Sequence, residues 1–330
     1  MSDRPILITG GAGYIGSHTV LAFREAGHDV IVLDDLSAGS RALVPAEVTL
    51  VVGDVGDRGL LDDLFRDHDI QAVVHLAGSV DVAESVAAPL KYYRNNTCVS
   101  RTLIEACVEH GVARFIFSST AAVYGAPAEL PVSEQAPAAP INPYGRSKLM
   151  TEWLLADVGA AHSLRSAVLR YFNVAGADGL GRAGQTTAKA THLIKVACEA
   201  ATGRREEVAI FGGDYDTPDG TCIRDYLHVS DLAGAHVAAL GALDAGSDSL
   251  VLNCGYGRGH SVREVLQAVE RESGVRLRTR VAARRPGDAP ILVADATKIR
   301  TALQWRPENE DLGAIVRSAL TWEKTLASGR

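Results

Sequence analysis

Short apolar runs alternate with stretches of helical period along the first half of the chain. Pro5–Thr9, Asp29–Leu33, Val48–Val52, Ala72–Leu76, Arg114–Ser118 and Val168–Tyr171 have the length and Val/Ile/Leu richness of buried strands. Between the first two, a glycine-rich turn leads into a helix through Ala26. Gly27 is placed to end that helix, because glycine tolerates the left-handed conformation there. A long helical segment spans about Pro89 to His110, with Val99, Leu103, Ala106 and Cys107 at helical spacing. Apolar strands alternating with helices predict an α/β fold: a doubly wound parallel sheet buried on both faces. After about Asn173 the pattern loosens, and strand-like and helix-like pieces interleave. The expected division is 1–173 for the sheet domain and 174–330 for a smaller mixed α/β domain, with some later segments returning to the first. Ala126–Pro140, rich in Ala and Pro, reads as a surface loop.

Composition narrows the class. The 330 residues include 33 Lys+Arg and 40 Asp+Glu, a net charge of −7, with 47% hydrophobic and 22% charged residues. That balance excludes a disordered chain and argues against a nucleic-acid partner, which calls for a basic surplus. Five cysteines form no CxxC pair, as expected of reduced thiols in the cytoplasm. No apolar run reaches the roughly 18 residues a membrane span needs. Met1–Arg4 runs straight into a strand, without the features of a secretory signal. The expectation is a soluble intracellular protein with no metal site.

Thr9–Gly16 reads TGGAGYIG and sets Gly10, Gly13 and Gly16 between a strand and a helix. A dinucleotide pyrophosphate needs backbone N–H groups at close range, and the helix N-terminus adds partial positive charge. Asp34, at the end of the next strand, can accept hydrogen bonds from an adenosine ribose. A carboxylate there favours NAD over its 2′-phosphorylated relative. Asp54, after the third strand, is a candidate for the adenine edge. Leu76, Ala77 and Gly78 supply small or apolar residues where a cofactor can pass.

Tyr144 and Lys148, in PYGRSK, are four residues apart and so share one face of a helix that Pro143 opens. An isolated phenol has a pKa of about 10. A nearby ammonium, with the positive charge of a bound nicotinamide, favours the phenolate and makes the tyrosine a proton acceptor. Ser118, Ser119 and Thr120 close the fifth strand, and any of the three hydroxyls could orient the reacting oxygen.

With TGGAGYIG, SSTAAVYG, PYGRSK and RYFN in that order, the chain resembles the extended short-chain dehydrogenase/reductases. Within that family, ESVAAPLKYYRNN, LRYFNVAGA, GTCIRDYLHVSDLA and RRPGD make it similar to the 4-epimerases of UDP-hexoses. The resemblance runs from Thr9 to at least Trp305. It implies a Rossmann domain with tightly bound NAD, a UDP-sugar domain and a homodimer. It also selects Thr120 to act with Tyr144 and Lys148. Tyr14 and Ile15 would lie under the pyrophosphate. Asp34 through Gly39, including Leu36 and Ser37, would hold the ribose, and Asp54 with Val55 the adenine. Leu76–Gly78, Asn95, Ser118, Tyr171 and Phe172 would line the cofactor. Asn173, His192, Leu193, Ala209, Ile210, Phe211, Arg224, Arg285, Asp288 and Leu292 would hold the substrate. Both arginines suit a diphosphate, since a guanidinium offers a planar fork of donors.

Three positions depart from relatives: Val80 where many have Lys, His192 where some have Asn, and Leu292 where a Tyr or a smaller residue tunes room for the hexose. The implied reaction is inversion at carbon 4 through a 4-keto sugar. UDP-uronate, UDP-N-acetylhexosamine and UDP-pentose remain alternative substrates. A 4,6-dehydratase would need an acid pair after the threonine, where this chain has Ala121 and Ala122. A non-catalytic NAD-binding regulator would not need Thr120, Tyr144 and Lys148 together.

Overall fold

The computed structural model describes residues 4–187, 190–285 and 288–328. The first half contributes strands β1 (Ile6–Thr9), β2 (Val30–Asp34), β3 (Thr49–Val52), β4 (Ala72–His75), β5 (Arg114–Thr120) and β6 (Arg165–Tyr171). They are linked by helices α1 (Tyr14–Glu25), α2 (Arg58–Asp67), α3 (Val82–Ala87), α4 (Pro89–Tyr92), α5 (Val99–Glu109) and α6 (Pro143–Ala161). The second half adds β7 (Asn173–Ala175), α7 (Leu193–Ala201), β8 (Val208–Phe211), β9 (Ile223–His228), α8 (Val229–Asp244) and β10 (Leu250–Cys254). It closes with β11 (Gly259–Ser261), α9 (Val262–Ser273), β12 (Thr279–Ala282), β13 (Ile291–Leu292), α10 (Thr297–Ala302) and α11 (Leu312–Ala327).

The main sheet has seven parallel strands in the order β10-β6-β5-β4-β1-β2-β3. The chain starts in the middle, winds outward to β3, then returns to lay β4 against the other edge of β1. That reversal opens a crevice beyond the carboxyl ends of β1 and β4, where ligands bind in such sheets. Every residue of β1, β2 and β4 is buried, as a sheet covered on both faces requires. One face packs Ile6, Ile8, Val32 and Ile116 with Val20 of α1 and Ala235 and Ala239 of α8. The other packs Leu7, Leu33, Val73 and Phe117 with Leu61 of α2, Leu103 of α5 and Leu155 of α6.

Elements of the second half return to the first: β10 pairs with β6 from Leu250 opposite Ala167 to Cys254 opposite Tyr171. A smaller sheet sets β9 between β11 and β13, with β7 also on β9, and β8 pairs with β12.

The segment from Pro89 is helical through Glu109 as expected, with Tyr93–Cys98 as a π-helical turn between α4 and α5. One inserted residue per turn leaves the apolar spacing on either side intact, so periodicity does not reveal it. The Ala126–Pro140 segment is not wholly at the surface. Val132 is buried against Tyr124 and Ala294, and its backbone bonds to Val293 and Asp295. Gly27 does end α1, at φ +83°, with the His28 N–H donating to the Phe23 carbonyl.

Candidate active site

The glycine turn is shaped by backbone contact across the crevice. Gly10 adopts φ +71°, and a Cβ there would stand 2.6 Å from the Ala77 nitrogen. A Cβ on Gly16 would stand 2.0 Å from the Gly10 carbonyl oxygen, so α1 can approach the turn only as glycine. Gly13 caps α1 with no side-chain bond, which leaves the first-turn N–H groups of Tyr14, Ile15 and Gly16 without a side-chain acceptor. That is the cradle a pyrophosphate needs.

Asp34 is buried beside it. One carboxylate oxygen accepts from Ala12 N at 2.9 Å and the other from Leu36 N at 2.8 Å. Gly39 packs on Ala12, and Ser40 N donates to the Ala12 carbonyl, so Asp34–Gly39, with Ser37, folds against the glycine turn. Asp54 is exposed at the end of β3 and accepts from Gly56 N at 2.7 Å. The side chain of Val55 belongs to the core, so only its backbone can meet a cofactor. The Tyr14 side chain also points away from the cradle: its hydroxyl donates to the Gly176 carbonyl at 2.7 Å and ties α1 to the end of β7. Tyr14 and Ile15 therefore offer backbone, not side chains, to a phosphate. With these adjustments the residues fit NAD.

At the carboxyl end of β4, a Cβ on Gly78 would lie 2.9 Å from Asn96 Oδ1 and 3.6 Å from Lys148 Nζ. The π-turn aims Asn95 and Asn96 at this corner. Asn95 donates to Ser79 Oγ at 3.1 Å, while buried Asn96 clamps the Ser79 backbone and donates to the Ser147 hydroxyl of α6 at 3.0 Å.

The catalytic candidates converge at the ends of β5 and α6. Asn142 caps α6 by accepting from Gly145 N at 2.8 Å, with Pro143 as the first helical residue. Tyr144 and Lys148 then face β5. Tyr144 is buried beside Thr120; burial pushes its phenol up, and the Thr120 hydroxyl pulls it down. The Lys148 ammonium donates to the Ser118 carbonyl at 2.9 Å and sits 5.0 Å from the centre of the Phe117 ring, so it acts on the phenol through the field of the pocket. Burial pulls Lys148 down to about 8.

The Tyr171 hydroxyl, on β6, meets His236 Nε2. His236 Nδ1 lies 2.8 Å from the Leu232 carbonyl, which can only accept, so Nε2 is the acceptor for Tyr171. Burial pulls His236 down to about 4 and keeps it neutral. Phe172 is buried with Tyr124 and Leu149.

Much of the substrate set gathers in the smaller lobe. Asn173 lies on β7 opposite Tyr226. His192 caps α7, Nδ1 sits 3.0 Å from Gln185 Nε2, and Leu193 follows as the first helical residue. On β8, Ala209 and Phe211 are half-buried, whereas Ile210 points into the core and can offer only backbone. Arg285 stacks 3.8 Å over the Phe211 ring. Arg224 lies 3.6 Å from Asp288 and is paired in register with Leu292. Leu292 packs on the buried cluster around Tyr124. Of RRPGD, Pro286 and Gly287 lie outside the described residues. Val80 is exposed.

Sequence reasoning missed Asn96, His236 and the buried pair Glu152–Arg170. Only Glu152 carried a signal, since it continues the four-residue spacing of Tyr144 and Lys148. An open groove lined by His260, Arg271, Glu272 and Asp311 lies outside this constellation.

A model of the NAD dependent epimerase/dehydratase family matches residues 6–255. A UDP-glucose 4-epimerase of Azospirillum brasilense is 61% identical over 97% of this chain and 92% of its own. The UDP-glucose 4-epimerase of Brucella ovis, solved in complex with NAD, superposes with a TM-score of 0.93 at 43% identity, covering 96% of this chain and 98% of that one. That of Bifidobacterium longum, in complex with NAD+ and UDP, gives 0.94 at 38% identity, over 99% and 100%. With the glycine cradle and Thr120, Tyr144 and Lys148 at one crevice, these matches establish that the chain belongs to the NAD-dependent epimerase/dehydratase family.

Proposed function

We propose that this protein interconverts UDP-galactose and UDP-glucose by inverting carbon 4 of the hexose. The observation that carries the reading is Thr120 and Tyr144 set together beside buried Lys148, which is held on the Ser118 carbonyl, at the switch point of the sheet. The 61% identity to a UDP-glucose 4-epimerase supports the choice of sugar.

NAD supplies, when bound, a reversible hydride acceptor for carbon 4. The first-turn N–H groups of α1 and the Asp34 carboxylate hold it. The protein's own residues handle the proton and the sugar. Tyr144 takes the proton from the 4-hydroxyl and returns it after the sugar has turned. Thr120 donates to the phenol oxygen and so favours its charged form. Lys148, still an ammonium at pH 7, lends positive charge to the pocket and orients itself on the Ser118 carbonyl. Arg224 and Arg285 grip the diphosphate, so the hexose can turn while its handle stays in place.

The division of labour we propose is 1–173 for NAD and 174–330 for the UDP-sugar, with α8 and β10 lent back to the first part. We also propose a homodimer in the cytoplasm. Exposed Val86, Leu90, Met150 and Trp153 on α3, α4 and α6 supply an apolar surface for a second copy. All five cysteines are free, and no helix among the described residues is long and apolar enough to cross a membrane.

The test is to incubate purified protein with UDP-galactose and resolve the epimers by chromatography, with and without added NAD. UDP-glucose should form in both. No conversion under either condition would refute the assignment.

A further inference from the structure

The face of α6 that carries Tyr144 and Lys148 continues to Glu152, whose side chain is nine-tenths buried. Its carboxylate is the meeting point of two strands. Ser119 of β5 donates to one oxygen. Arg170 of β6 donates to both, at 3.1 and 3.2 Å from Nε and 2.6 Å from Nη2. Ser119 and Arg170 are cross-strand neighbours, and the next pair along the ladder is Thr120 with Tyr171. The arrangement extends outward, since Arg170 Nη1 donates to the Tyr124 hydroxyl at 2.9 Å, which donates to Asn253 of β10 at 2.6 Å. Other side-chain ties of α6 run the opposite way, from Ser147 and Thr151 to the π-turn.

We propose that Glu152 is a positioning residue for the reaction: by stapling Ser119 and Arg170 to α6, it fixes Thr120 on β5 against Tyr144 on the helix and holds a negative charge one turn from Lys148.

The electrostatic half follows from what surrounds Lys148. Glu152 and Tyr144 lie on its own helix, and Tyr92 of α4 meets the Tyr144 ring edge-on at 6.4 Å. His75 of β4, pulled down to about 3 by burial and by Lys148 itself, is neutral. Arg170 of β6 stands behind Glu152 and is spent on it. Burial disfavours the ammonium, and Glu152 is the group that opposes this. Without that carboxylate, Lys148 loses its proton at lower pH, and the pocket loses the charge that supports the phenolate.

This inference rests on the epimerase reading and is tested beside it. In Glu152→Gln, kcat for UDP-galactose should fall about 10- to 100-fold, as a displacement of about 1 Å between Thr120 and Tyr144 would cause. KM should stay within about twofold, because the diphosphate grip is elsewhere. The alkaline limb of the kcat profile should move about one pH unit lower, the size expected for loss of one close opposite charge. A second readout needs no turnover: the gain in melting temperature as Lys148 deprotonates should also begin at lower pH. Wild-type protein in the same assay separates failure of the epimerase reading from failure of this one. Because Glu152→Gln leaves Arg170 buried without a counter-ion, the neutral pair Glu152→Gln/Arg170→Met serves as the second variant, and the same shift is expected of it. Ser119→Ala, which buries no charge, should lower kcat severalfold with the alkaline limb unmoved. Wild-type kcat in any of the three overturns the proposal. So does a Glu152→Gln protein with reduced kcat and melting temperature but an unshifted alkaline limb, for then the residue is merely structural.

Discussion

Replacing Lys148 by methionine should make the protein more stable at pH 7 while removing its activity. Lys148 is 2% exposed, and its fall from 10.5 to about 8 measures what the fold loses by keeping the ammonium buried. At ~1.4 kcal/mol for each tenfold change in proton affinity, that is about 3 kcal/mol. Methionine keeps the length and apolar stem of the side chain but leaves the Ser118 carbonyl without its donor, a loss of about 1 kcal/mol. The net expectation is about 2 kcal/mol in favour of the variant at pH 7. The sign depends on pH. A lysine whose folded value lies below its unfolded value destabilises the fold below about pH 8, where both states carry the proton. As pH rises from 8 to 10.5, the unfolded chain holds more protons than the folded one, so wild-type stability climbs. The advantage of Lys148→Met should therefore shrink over that interval and vanish near its upper end. Urea unfolding of dinucleotide-free protein, followed by tryptophan fluorescence at pH 7 and 10.5, measures both points. A variant less stable than wild type at pH 7, or one whose stability varies with pH in parallel with wild type, would refute the reasoning.

Tyr144→Phe should lower kcat by about 10²- to 10⁴-fold, the usual range for loss of a proton acceptor, with the melting temperature unchanged. Gly16→Ala must push its Cβ away from the Gly10 carbonyl and should destabilise the protein by about 1–3 kcal/mol in thermal unfolding. Gly13→Ala, whose Cβ would keep 3.2 Å from that carbonyl, should fold but bind NAD more weakly in calorimetric titration. Arg224→Ala should raise KM for UDP-galactose at least tenfold with a smaller effect on kcat, because it removes a grip that acts throughout the cycle.

The glycine turn and the Tyr144–Lys148 spacing were legible because each serves a chemical demand that few residues can meet. Only glycine allows the 2.6 Å and 2.0 Å approaches at Gly10 and Gly16, so the letters announce the geometry. The family match and the parallel sheet bear out the fold and activity inferred from those motifs. The π-turn at Tyr93–Cys98 was hidden because its flanks keep an ordinary helical pattern. The position of β10 was hidden for a different reason. Nothing in Leu250–Cys254 says which strand lies beside it, since pairing with β6 joins residues about 80 positions apart. The direction of Lys148 turned on the Ser118 carbonyl, and every residue has a carbonyl. Glu152 and Arg170 looked like ordinary helix and strand charges, and only their burial together on Ser119 distinguishes them.

The strand that the second half lends to the main sheet has a consequence for how this protein can be cut or recombined. Ending the gene after residue 173 would strip β6 of its outer neighbour and leave a raw hydrogen-bonding edge beside Tyr171, at the rim of the reaction centre. The sugar-holding half cannot be exchanged as a cassette for another specificity unless the newcomer also brings a strand that fits that edge. A break in the covalent chain between 174 and 249 would leave two fragments still knitted together, able to travel as one particle.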